Sequence, residues 1–134
     1  MRQPYRIMIT VIALGMCILL SGCIQAPFTG VYQVESGYES LGMSEEDQET
    51  LGGVVILLEF AKDGIFNQYF YENRTRYLAF TGNFHVKDNQ FTVLQGSSVK
   101  LLYTYELKTE NGEAYLYGYD PEYEEPLILR KLPQ

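Results

Sequence analysis

The sequence predicts an all-β fold: about eight antiparallel strands in up-and-down order, closed into a barrel, with one short helix between strands 1 and 2. Three observations carry that expectation. Short runs alternate in parity as a strand does, Phe28, Gly30, Tyr32 and Val34 being the first. Turn residues separate nearly every run from the next. One stretch, "ESGYESLGMSEEDQETLGG" from 35 to 53, breaks the rhythm and carries helix signals instead.

Within that stretch Ser44 is placed to cap a short helix, because Asp47 follows three residues on and acids crowd the first turn. The helix ends near Leu51, with Gly52-Gly53 as its stop. "VVILLEF" (54–60) then passes through Ala61-Lys62-Asp63-Gly64 into "IFNQYFY" (65–71), and Asp-Gly between two apolar runs is a strong hairpin signal. "YLAFTGNFHV" (77–86) turns at Asp88-Asn89 into "FTVLQ" (91–95). "VKLLYTYEL" (99–107) turns through Thr109-Glu110-Asn111-Gly112 into "AYLYGY" (114–119). Asp120-Pro121 opens an acidic loop, and "LILRKL" (127–132) closes the series.

Eight such strands curl and close, because closure removes the exposed edges that invite aggregation. Two packed sheets satisfy the same alternation. The inward set is Tyr32, Val34, Ile56, Leu58, Phe60, Phe66, Phe70, Phe80, Phe84, Val86, Phe91, Val93, Leu101, Tyr103, Leu116 and Leu129. Gly82 and Gly118 lie inside strands, where a missing side chain permits a sharp bend or close backbone approach.

The N-terminus reads differently. Two arginines within the first six residues precede an apolar run from Ile7 to Leu20, the pattern of a secretory signal peptide. The run is too short, and lacks the flank, for a membrane-spanning helix. Leu20-Ser21-Gly22-Cys23 resembles the bacterial lipobox, in which the cysteine thiol is acylated and becomes the first residue of the mature chain. That resemblance implies a cleaved signal peptide at 1–22, a lipidated Cys23 with a short tether at 23–27, and one folded domain at 28–134. Two or more acyl chains anchor a protein stably, where one does so only marginally. The implied location is the cell envelope, extracytoplasmic and held to the membrane by lipid. No aspartate follows Cys23 at Ile24-Gln25, which favours the outer membrane in a Gram-negative cell.

Cys17 departs with the signal, so the mature domain carries no disulfide and relies on its core. Arg2 and Arg6 also depart, making a chain of net charge −7 more acidic by two charges. Such a balance argues against nucleic acid and against electrostatic docking on anionic lipid.

Four segments, "FTGVYQ", "LLEFAKDGIFNQY", "FTGNFHVKDNQFTV" and "YLYGYDPEYEEPLILRKL", together resemble the small bacterial lipocalin-like lipoproteins. The likeness spans most of residues 28 to 132 and implies a lipocalin-like barrel. Lipocalins carry Gly-x-Trp in the first strand and a late arginine that packs across the indole. Here those positions are Gly30-Val31-Tyr32 and Arg130, and the chain has no tryptophan.

Catalytic signals are sparse, and the expectation is a protein that is not an enzyme and holds no cofactor. His85, the one histidine, should point outward beside Lys87, and without a second histidine or a thiol no zinc site is expected. Ser97 and Ser98 read as a turn, without a strained nucleophile motif around them. "DPEYEE" reads as a solvated acidic loop, lacking the spacing of a calcium loop.

Two binding classes remain. The first is non-catalytic binding of a small apolar or amphipathic ligand inside the barrel, with Tyr32, Phe66, Gln68, Phe70, Phe80 and Phe84 as candidate contacts and 36–52 as a lid. Gln68 falls on the inward parity between Phe66 and Phe70, whereas Thr104 and Glu106 fall outward. The second is a protein-interaction module with a packed core. It would use an outward tyrosine face of Tyr69, Tyr71, Tyr115, Tyr117 and Tyr119, since tyrosine offers a large contact area at low entropic cost. Of the 12 tyrosines only Tyr5 precedes Cys23.

Overall fold

The computed structural model describes residues 29–133, so the signal peptide, Cys23 and the tether lie outside the described residues. The eight strands are β1 (Gly30–Ser36), β2 (Val55–Phe60), β3 (Ile65–Glu72), β4 (Thr75–Lys87), β5 (Gln90–Gln95), β6 (Ser98–Glu110), β7 (Glu113–Tyr119) and β8 (Leu127–Lys131). A 3-10 turn (Tyr38–Leu41) and the helix α1 (Glu45–Leu51) lie between β1 and β2. Every strand pairs antiparallel with its sequence neighbour, and β8 returns to pair with β1, Leu129 opposite Val34. The sheet is therefore one closed barrel, not two packed sheets.

Local chemistry accounts for the turns. Asn73-Arg74, Asp88-Asn89 and Asn111-Gly112 each take positive φ at both central positions, the turn whose twist suits a two-residue hairpin. The Asp63-Gly64 hairpin forms with a longer loop: Ala61 and Ile65 bond across it and the Asp63 carboxylate accepts from the Ile65 amide. α1 starts as its sequence predicts, with the Ser44 hydroxyl accepting from the Asp47 amide at 3.1 Å and the Ser44 amide donating back to the carboxylate at 3.0 Å. That reciprocal pair holds the Asp47 carboxyl below the usual aspartate value.

The inward set packs as the alternation predicts. Phe60 sits at the centre of the core, its ring 5.1–5.6 Å from those of Tyr32, Phe66, Phe84 and Phe91, at steep edge-to-face angles. Twelve further residues, from Tyr32 to Leu129, complete the buried cluster around it, and Phe70, Phe80, Val86 and Leu101 pack on it half-buried. That cluster includes Leu127, which lies outside the inward set read from the sequence, and Leu57, an outward-parity residue in register with Gln33 and Tyr69, is buried too. Burial alone pushes the Tyr32 phenol up to about 12. Gly118 leaves room for the Tyr103 ring, 3.2 Å from where a Cβ would stand, and Gly82 lies against the Leu94 carbonyl and the Phe80 ring.

Arg130 does not pack across Tyr32, the residue that stands where lipocalins carry the first-strand tryptophan. Tyr32 is inside and Arg130 is outside, where it bonds Glu35 at 2.6 Å and Gln33 at 3.2 Å. Strand alternation puts residues 129 and 130 on opposite faces, and buried Leu129 leaves Arg130 facing out.

The two rims of the barrel differ. One carries the turns 61–64, 88–89 and 111–112, the entry of the chain at Thr29 and its exit at Pro133. The other carries the long β1–β2 connection, the β3–β4 and β5–β6 turns and the acidic loop 120–126. That second rim is the mouth.

Candidate functional site

The β1–β2 connection folds over the mouth because of glycine and tyrosine. Gly37 takes φ +84°, and its absent side chain would collide with the backbone of Pro126 and Leu127, so the chain enters the cover hard against β8. The following 3-10 turn ends at Gly42, also left-handed. The Tyr38 hydroxyl donates to the Val34 carbonyl at 3.1 Å. From inside the barrel the Tyr103 hydroxyl reaches up to the Ser40 carbonyl at 2.7 Å and its hydroxyl at 3.1 Å. Burial pushes the Tyr103 phenol up to about 12, the Ser40 hydrogen bond opposing and Asp120 and Tyr123 adding to the rise. Leu41 and Met43 of the cover pack against the core cluster.

Beside this cover an open pocket of about 270 Å³ enters the mouth, lined by Leu41, Phe66, Gln68, Phe80, Gln95, Lys100 and Leu101. It brings together three of the six ligand candidates, Phe66, Gln68 and Phe80. Tyr32 and Phe84 are instead packed in the core at 1 % exposure each, filled in by Phe60 between them. Phe70 is half-buried against the core and does not line the pocket. The centre of the barrel is thus filled by the aromatic cluster around Phe60, and this pocket lies above it at the mouth.

The other four lining residues, Leu41, Gln95, Lys100 and Leu101, lie outside the set of candidate contacts. Lys100 is invisible to alternation because of a bulge. Val93 opposes Leu101 and Leu94 opposes Val99, which leaves Lys100 as the extra residue of β6. A bulge re-aims side chains, and here two consecutive residues, Lys100 and Leu101, line the same pocket. A second bulge makes Ala79 the extra residue of β4, beside Phe80.

The five tyrosines do not form one face. Tyr69 and Tyr71 are on β3 and the other three on β7, with three strands between them in either direction around the barrel. Tyr115, Tyr117 and Tyr119 form a ladder with ring centroids 6.5 Å apart. The Lys108 ammonium sits 4.2 Å from the Tyr117 centroid, and Tyr117 and Tyr119 donate to Glu110 and Glu106. On β3 the Tyr69 hydroxyl donates to Glu59 at 3.0 Å beneath the Arg76 guanidinium. These are cross-strand pairs of the kind that stabilise a sheet. His85 is exposed, as its parity predicts.

No family model matches the chain, and neither a curated protein nor a solved structure matches it.

Proposed function

We propose that the chain is a lipid-anchored extracytoplasmic lipoprotein of the cell envelope whose lipocalin-like barrel binds a small apolar or amphipathic ligand at its mouth, without catalysis. The observation that carries the binding reading is the pocket itself: Phe66, Gln68 and Phe80 meet beside Leu41 in a concavity of mixed apolar and polar lining. Its polar lining is two amides and one ammonium, groups suited to holding a ligand rather than to nucleophilic or acid–base work at neutral pH. Anchoring rests on the sequence from Ile7 to Cys23.

All eight strands and the buried cluster lie within residues 30–131, so a fragment of residues 24–134 retains the whole barrel. Native mass spectrometry of that fragment, purified gently from an expressing cell, tests the reading. A reproducible added mass that leaves on denaturation is the expected result, and a bare protein that no apolar ligand stabilises on melting sinks it. Acylation is checked separately, by metabolic labelling with a palmitate analogue that Cys23→Ala abolishes.

A second reading uses the β7 ladder of Tyr115, Tyr117 and Tyr119 as a surface for another envelope protein. It is favoured by the continuity of the three rings along one strand. Crosslinking from Tyr117 in the envelope, compared with Tyr71 on the far side of the barrel, separates the two.

A further inference from the structure

We propose that the mouth selects a single-chain amphiphile with a carboxylate head, the Lys100 ammonium meeting the head while the tail packs on Leu41, Phe66, Phe80 and Leu101. This rests on the ligand-binding reading above and adds the chemical class.

Charge is the first argument. The chain is acidic, and the mouth rim is especially so, with four acids in α1 and four more in the 120–125 loop. Yet no carboxylate lines the pocket, and its one charged group is a lysine. Among the described residues no ion pair holds Lys100, as is true of most of the chain's other lysines and arginines. A cation with no acid beside it in the pocket, next to the side chains of Leu41, Phe66, Phe80 and Leu101, is complementary to an anionic head with a hydrocarbon tail.

Backbone geometry is the second. In a regular strand Lys100 would point away from the side that Leu101 faces. The β6 bulge, placed between Leu101 and Val99, instead lets both residues border the pocket. Gln68 and Gln95 border it too, and their amides can donate to the second oxygen of a carboxylate.

Size is the third. A volume of about 270 Å³ holds about nine groups of water size at ~30 Å³ each, which suits a tail of medium length.

The test uses the 24–134 fragment with two probes of equal chain length, decanoate and decan-1-ol, measured below micelle formation by isothermal titration and by amide shifts. Decanoate should bind about 5-fold more tightly than decanol, an exposed-charge preference that fades as salt is raised. Lys100→Gln should erase that preference, Lys100→Arg should restore it, and Lys108→Gln on the outer face should leave it as it is. Equal binding of the two probes by the unaltered protein, or a preference that survives Lys100→Gln, overturns the carboxylate assignment and leaves the container intact. Failure of both probes to bind overturns the assignment and the container together.

Discussion

The Tyr103 hydroxyl and the Ser40 carbonyl, 63 residues apart in sequence, meet at 2.7 Å, and this one hydrogen bond ties the interior of the barrel to the cover over its mouth. The ring is held from below by the hollow at Gly118 and beside it by Phe91, 5.2 Å away between centroids. The cover is therefore fastened from inside.

Tyr103→Phe keeps the ring and removes the fastening. The lost hydrogen bond should cost about 1 kcal/mol of stability. Hydrogen exchange should quicken at the amides of Ser40, Gly42 and Met43, which are bonded within the cover, while the strand amides of β2 and β3 keep their protection. Uniform protection in both proteins would show the cover to be held by Leu41 and Tyr38 instead.

Phe60 touches four aromatic rings at once, and truncating it should be the most damaging change in the core. Phe60→Ala is expected to cost about 3–5 kcal/mol, while Phe60→Leu, which keeps more volume, should cost less. Urea melts of both variants check the order.

Alkali should unfold the barrel through two phenols. Tyr32 and Tyr103 have folded values of about 12 against 10.0 for an unfolded tyrosine. Both are raised, so their contribution is complete below pH 10 and is lost as the pH rises toward 12. Tyrosinate absorbance should show this pair ionising late, together with loss of structure, and Tyr103→Phe should make the alkaline decline shallower.

The capping box gives the opposite dependence at acid pH. The hydrogen bonds from Ser44 lower the Asp47 value, so their support is present above the ordinary 3.8 and is lost as the pH falls through the lowered value. α1 should loosen in that window in the native chain. Asp47→Asn should show no such step, read from the amide shifts of residues 45–50.

Arg74 holds φ +64° at the tip of the β3–β4 hairpin, a conformation that costs a side-chain-bearing residue roughly 1 kcal/mol. Arg74→Gly should raise thermal stability without altering the mouth, 270 Å³ of which is lined from other residues. A fall in stability would mean the arginine side chain contributes more than its backbone loses.

The strands were legible because alternation and turn residues are local. Tyr32 to Leu129 read as inward and are inward, and Ser44 to Leu51 read as a capped helix and is one. What stayed hidden is where locality fails. Bulges at Ala79 and Lys100 are produced by pairing with a neighbouring strand, so Lys100 looked like an ordinary strand residue. β4 begins at Thr75, two residues before its apolar run, because Asn73-Arg74 turns tightly without a glycine. The distance around the barrel between β3 and β7 follows only from closure, and it divides a tyrosine face that parity alone had joined. Tyr103 was legible as core, but its partner in the cover belongs to a long-range contact that no periodicity encodes.

Thr29 and Pro133 leave the barrel from the same rim, the one opposite the mouth. Anything attached at either terminus, be it a natural segment, a surface or a fluorescent protein, hangs from the base of the cup. Immobilised by either end, the barrel presents its opening and the cover over it to the bulk solution rather than to the support. Two copies joined tail to tail would turn their mouths away from each other.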